Sequence, residues 1–318
     1  MIDFRYHIVS IVAIFLALAT GVALGAGPLK GTVDKSYIQQ AERDRRDKDE
    51  LRIQITRMQQ ADDFQVAFTE AISPALLANR LSDRGVVLLQ SPDASAVNVD
   101  GVRASLTEAG AQVSYTVKLT DKLLDPANKT LVDSLATQLS AGVNDLNAAQ
   151  DAGTFDLFGA ILARALVTKE AAGAPLDDTG RNILSGLDTA KLVSVDGELA
   201  RRNSLVVLVT GEANGTDQTT AANDSIVIAI AKALDEGSDG VVIAGPPASA
   251  EEGGVVYAVR NDDSASSELS TVDVVDEPSG RIATVFALVQ QAQGKAGQYG
   301  SVGNTDGPIP ALTGPPGQ

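Results

Sequence analysis

The chain has 318 residues, with 25 Lys+Arg against 41 Asp+Glu and a formal charge of −16. That balance argues against nucleic acid as the main partner, because phosphate binding needs a basic stripe. Cysteine is absent, histidine occurs once (His7) and methionine twice (Met1 and Met58). These counts exclude a thiolate nucleophile, a disulfide, a Cys/His metal site and a Ser-His-Asp triad beyond residue 7, and they leave soft copper ligands nearly missing.

Residues 8–27 carry no charge in 20 positions. At 1.5 Å per residue such a helix spans ~30 Å, about one hydrocarbon core. The run predicts a transmembrane anchor over residues 1–29. Its length exceeds a signal-peptide apolar region, although Ala23-Leu24-Gly25 has the small residues of a cleavage site. Gly21 and Gly25 form a GxxxG pair that would let a second helix approach closely. Lys30, Lys35, Arg43, Arg45 and Arg46 follow the span. The positive-inside rule taken literally would leave the long domain in the cytoplasm, but long domains translocate regardless of charge.

Residues 30–80 read as a coiled-coil stalk. Strong helix formers dominate, and Pro74 is the one proline of the stretch. Leu51, Ile55, Met58, Ala61, Phe64, Phe68 and Ile72 recur over 21 residues in six steps. Their mean spacing matches a coiled-coil seam rather than a straight helix. Leu51, Ile55, Met58, Phe64 and Phe68 are the expected interface, for self-association and for partners. The alternative is that this face docks on the following domain. Acid–base pairs at i,i+4, Glu42/Arg46 and Asp44/Lys48, support a solvated upstream half. Residues 1–80 hold ten positive and ten negative side chains, so the entire net charge lies in residues 81–318.

Residues 81–293 read as an α/β head. Residues 85–90, 204–210 and 240–244 are runs of Val, Leu and Ile without alternation, as parallel strands covered on both faces require. Residues 112–119 alternate like a further strand, and residues 255–259 read as another. Helices are expected at 99–108, 225–234 and 281–293, with a helical, Ala/Leu-rich insertion over 122–190. The fold class is therefore α/β: an N-terminal transmembrane helix, a long coiled-coil helix, then a Rossmann-like, mostly parallel sheet with a helical insertion.

In such sheets ligands sit beyond the carboxyl ends of the strands. The turns at 91–93, 211–214 and 245–248 should converge there. No G-x-G-x-x-G and no P-loop is present, so no nucleotide cofactor is expected. Asp93, Glu212, Glu251 and Glu252 could meet at that edge and take a hard cation. The alternative is four solvated loop carboxylates. We expect no catalytic residue, cofactor or resident metal. Residues 294–318 turn to Gly, Pro, Gln and Ser and predict a flexible tail.

The start of the chain, Met1-Ile2-Asp3-Phe4-Arg5-Tyr6-His7 running into the apolar span, resembles the mycobacterial copper transport protein B family of actinobacterial envelope proteins. So does LSTVDVVDEPSGRIATVFAL at 269–288, followed by Gly294-Lys295-Ala296-Gly297-Gln298-Tyr299-Gly300. The family name implies copper export or tolerance, and a pore in the outer envelope is proposed for some members. The resemblance also implies a second view. In it, members act at the division septum with a membrane partner and control a peptidoglycan hydrolase through the coil. It places the bulk of the chain outside the cytoplasmic membrane.

A copper carrier needs Met, His or Cys ligands, and a transmembrane barrel needs repeated alternating strands. Neither is evident. The reading of the sequence is a single-pass, non-enzymatic envelope protein that self-associates and regulates septal cell-wall machinery, with copper transport as the alternative.

Overall fold

The structure is a computed structural model that describes residues 4–25, 29–149 and 151–311. It divides into two compact units, Met1–Gln65 and Val66–Gln318.

The first unit holds α1 (Phe4–Gly25) and most of α2 (Leu29–Leu77). Within α1, Arg5–Gly25 is long and apolar enough to cross a membrane and is wholly exposed. Thr20 satisfies its hydroxyl on the preceding turn, donating to Leu16 O at 2.6 Å. Residues 1–3 and 26–28, at the two ends of the expected anchor, lie outside the described residues. Helix α2 runs for 49 residues, ~73 Å at the α-helical rise. Of the two expected i,i+4 pairs, Glu42/Arg46 forms at 3.8 Å; an unexpected i,i+3 pair joins Arg52 to Asp49 at 3.6 Å. Among the described residues Asp44 and Lys48 do not pair. All four paired groups are exposed, so each bridge contributes only tenths of a kcal/mol.

The second unit is built on a sheet. In chain order its elements are β1 (Val86–Gln90), α3 (Ala96–Glu108), β2 (Tyr115–Leu119), α4 (Asp121–Leu124), α5 (Lys129–Ser140), α6 (Thr154–Leu166), β3 (Ala174–Pro175), α7 (Asp178–Thr189), β4 (Val193–Gly197) and β5 (Arg201–Arg202). There follow β6 (Leu205–Val209), α8 (Gln218–Gly237), β7 (Val241–Ala244), α9 (Val255–Arg260), α10 (Asp263–Glu268), β8 (Ser270–Val272), α11 (Pro278–Gln291) and β9 (Gln298–Tyr299). The seven-stranded sheet has the order β4-β2-β1-β6-β7-β8-β9, and β3 pairs with β5 separately. Every neighbour in the large sheet is parallel except β4, which runs antiparallel to β2.

The unalternating runs are explained by two cores. Along β1, Val87 and Leu89 face one core while Val86 and Leu88 face the other. Along β6, Val206 and Leu208 go one way and Leu205, Val207 and Val209 the opposite way. Each strand is apolar throughout because helices cover both faces. The first core is roofed by α6 and α8, which pack on each other, and the second by α3 and α11. Gly159 of α6 makes the first roof possible: a Cβ there would lie 2.8 Å from Ala233 Cβ on α8.

Two expectations are corrected. Residues 255–259, read as a strand, form helix α9. Val255, Val256 and Val259 are buried at i, i+1 and i+4, a helical spacing. β-Branched composition is a weak guide when tertiary packing supplies the context. The strand after β7 is instead β8, which the sequence reading missed.

The second correction concerns the tail. Residues 298–299, read as part of a flexible tail, form β9, with Thr271 opposite Gln298 and Val272 opposite Tyr299. Tyr299 is 4% exposed, and its hydroxyl is bonded to Gln290 Oε1. Residues 312–318, the rest of that expected tail, lie outside the described residues.

Candidate functional site

The chain leaves β1 for α3 on one face of the sheet and leaves β6 for α8 on the other. The two neighbouring strands therefore send their following loops apart, and a crevice opens beyond their carboxyl ends. The loops still touch at its base. Gly211 lies so close to the β1 loop that a Cβ would sit 2.4 Å from Asp93 O. Asn214 Nδ2 donates to Asp93 Oδ2 at 2.9 Å, Ser91 Oγ donates to Asp93 Oδ1, and Asn214 N donates to Gly253 O at 3.1 Å.

The result is a cavity of about 240 Å³. Asp93, Glu212, Asp121, Asp125 and Asp224 supply its charge. Leu124, Val227 and Val255 supply apolar wall. No lysine or arginine lines it among the described residues. Asp125 also accepts from Ala127 N at 2.9 Å and Asn128 Nδ2 at 3.3 Å.

Asp224 is the unusual member. It lies on α8 and is only 9% exposed. No hydrogen bond or ion pair to its carboxyl forms among the described residues. Burial, and then the negative charge of Asp93, push its pKa up from the ordinary 3.8 to about 6. A carboxylate largely withdrawn from bulk water and without a partner holds its proton more tightly.

The expected convergence of turns is thus half met. The turns at 91–93 and 211–214 meet, while the turn at 245–248 does not line the cavity and residues 253–255 do. Of the four carboxylates that could have met at this edge, Asp93 and Glu212 reach the cleft. Glu251 and Glu252 are exposed and face elsewhere. Asp121, Asp125 and Asp224 take their place. Among the described residues no three His, Cys, Asp or Glu side chains come together closely enough to hold a metal ion, and Asp93, Glu212, Glu251 and Glu252 do not assemble as a set. Asp224 was legible only as an acid on a helix flanked by Thr220, Ile226 and Val227, all buried in the structure.

The other expected site residues lie on the two long helices. Leu51, Ile55, Met58, Phe64 and Phe68 are all exposed, between 53% and 71%. Ile53, which is not part of the 3.5-residue pattern, is exposed at 53%. Gly21 and Gly25 of α1 have open space where a Cβ would stand. His7 and Met58, the soft ligands within the described residues, lie on separate helices, α1 and α2.

A family model described as "Copper transport outer membrane protein, MctB" matches residues 1–310. The copper transporter MctB of Mycobacterium tuberculosis and that of Mycobacterium bovis are each 30% identical over 319 residues, covering 95% of this chain and 96% of the relative. The copper transporter MctB of Mycobacterium leprae is 29% identical over 320 residues, covering 94% of this chain and 96% of its own length. An α/β protein with an apolar N-terminal helix, matched in this way over residues 1–310, belongs to the MctB family of copper transport outer membrane proteins.

Proposed function

We propose that this chain is a membrane-anchored, non-enzymatic component of copper handling in the cell envelope, working as an assembly of copies rather than as a metal carrier in its own right. The observation that carries the copper reading is the family match along nearly the whole chain. The assembly follows from ligand chemistry. A chain with no cysteine and one histidine offers copper no set of soft side chains, and one spanning helix encloses no path by itself. Gly21 and Gly25 provide for close packing between copies of α1.

On this reading residues 1–29 are the anchor and residues 30–80 a coiled coil, with Leu51, Ile55, Met58, Phe64 and Phe68 on its seam. Residues 81–293 form the doubly wound, Rossmann-like head, which lies on the extracytoplasmic side of the cytoplasmic membrane. The exposed apolar stripe on α2 supports the coil.

The same stripe favours a second reading. In it the stripe and the charges of residues 42–52 bind a septal membrane partner and regulate a peptidoglycan hydrolase, and copper sensitivity follows from an altered wall.

Copper and zinc contents of cells lacking the protein decide between the two. A rise in copper alone is expected for copper handling. Unchanged copper, or both metals rising together, would sink that reading and leave wall regulation.

A further inference from the structure

We propose that the cleft beyond β1 and β6 binds a small aliphatic amine, with its ammonium group between Asp224 and Asp93 and its alkyl chain against Leu124, Val227 and Val255.

Three observations lead there. The first is charge. Five carboxylates line the cavity and no basic side chain answers them among the described residues. None of the five takes part in an ion pair there. The second is Asp224, nine-tenths buried and without a hydrogen-bond partner. A buried carboxylate left unpaired is costly, and a cation arriving from solution removes that cost. The third is the spread of the acids. No three of them close on a point as a metal ion demands. An ammonium group asks less: three N–H donors satisfied by well-separated oxygens. Metal coordination requires several ligands at one short distance.

The rest of the cavity fits the rest of such a molecule. About 240 Å³ accommodates a short chain of methylenes, whose burial against the apolar wall favours binding. Asp93 is already oriented. Ser91 and Asn214 each donate to one of its oxygens, so little ordering remains to be done on binding. Asp121 and Asp125 on the α4 side, and Glu212 on the β6 loop, surround the pair and draw a second ammonium group if the ligand has one. This inference is independent of the copper reading, since the cleft lies wholly within residues 91–255.

The test is calorimetric titration of the full-length protein in detergent with 1,5-diaminopentane, at low salt and about pH 8, where both Asp224 and the amine are ionised. Magnesium and calcium chlorides are titrated in parallel. Saturable binding of the diamine is expected, weakened roughly tenfold or more by Asp224→Asn and by Asp93→Asn. Near-isosteric amides keep the fold, which thermal unfolding of each variant checks. Binding should also weaken from about pH 8 to about pH 5 as Asp224 takes up its proton, with Asp93, Asp121, Asp125 and Glu212 the other acids facing it. Absence of saturable diamine binding overturns the proposal. So does binding indifferent to both substitutions, or saturable magnesium or calcium binding that displaces the diamine.

Discussion

Arg260 and Asp273 form an ion pair inside the protein, Nη1 to Oδ2 at 2.7 Å, with side chains only 7% and 0% exposed. Arg260 Nε donates to Thr271 Oγ1 on β8 at 2.8 Å, and the C-terminal segment supplies further partners of the pair. Arg260 donates to Val302 O and Tyr299 O, both at 2.7 Å. Asp273 accepts from Ser301 N at 2.7 Å and Val302 N at 3.1 Å. This network fastens β9 to the sheet.

Removing one partner leaves the other charge buried and alone. Arg260→Met is therefore expected to destabilise the protein by roughly 3–5 kcal/mol. Hydrogen exchange should show amides 298–302 losing protection before the strands β1 and β6. If those amides stay protected, the pair does not hold the segment.

Asp224 predicts a pH dependence of known sign. Its pKa is raised in the folded protein, from 3.8 to about 6. The folded state then binds the proton more tightly than the unfolded chain. Its contribution is fully present below 3.8 and is lost as pH rises through about 6. Asp224→Asn should therefore stabilise the ligand-free protein by about 2 kcal/mol at neutral pH and change little in acid. Urea midpoints measured across that range check it.

Asp177 shows the opposite sign. The Arg164 guanidinium, bonded Nη2 to Oδ2 at 2.6 Å, and then the Gly180 N–H at 2.8 Å, pull its pKa down from 3.8 to about 2. The same carboxylate caps α7. Its contribution is present above 3.8 and is lost as pH falls towards about 2. The side chain is 43% exposed, so solvent screens the pair. Asp177→Ala is expected to cost only about 1 kcal/mol near neutrality. The cost should shrink in an acid titration.

Gly159 tests the packing of α6 on α8. A side chain there meets Ala233 Cβ at 2.8 Å and Ile230 Cα at 3.1 Å. Helix backbone cannot give way as a flexible side chain does. Gly159→Val should cost roughly 1–3 kcal/mol, read from denaturant unfolding. An unchanged midpoint would mean the two helices separate without penalty.

The α2 stripe predicts self-association. Ile55→Glu combined with Met58→Glu places charge on the exposed seam of α2. Buried like charges facing each other in a coil are strongly unfavourable, and e and g positions rather than the seam accommodate charge. The double variant is expected to shift the detergent-solubilised protein to a smaller oligomer in analytical ultracentrifugation. No shift would mean that copies meet elsewhere.

Much of the sheet is legible in the sequence. β1, β6 and β7 appear as unbroken Val/Leu/Ile runs closed by turn residues, because strands covered on both faces need an apolar residue at every position. β2 was legible from alternation, although Val113 lies outside the strand and packs on the second core. Helix α11 followed from Ile282, Val285 and Leu288. Helix α8 was seen only over its second half, because Asp217, its N-cap, stands in a polar stretch that also reads as a loop.

The candidate site was less legible. Asp93 and Glu212 were accessible from the rule that ligands gather beyond strand ends. Asp121 and Asp125 sit after β2 and Asp224 on α8, and only the order of the strands brings them to the same crevice.

By itself the sequence determined the apolar helix α1, the three central strands, the shortage of soft metal ligands and the family. Each depends on composition or on the order of residues along the chain. The tertiary structure alone decided that residues 255–259 coil into α9, that a Gly-rich segment joins the sheet, and that Asp224 is buried beside Asp93. The physical reason is range. Arg260 fastens a strand 39 residues away at Tyr299, and Asp224 feels the charge of Asp93 across two crossovers. Local periodicity reports which residues seek a core, and it carries no record of which distant charge will meet them there.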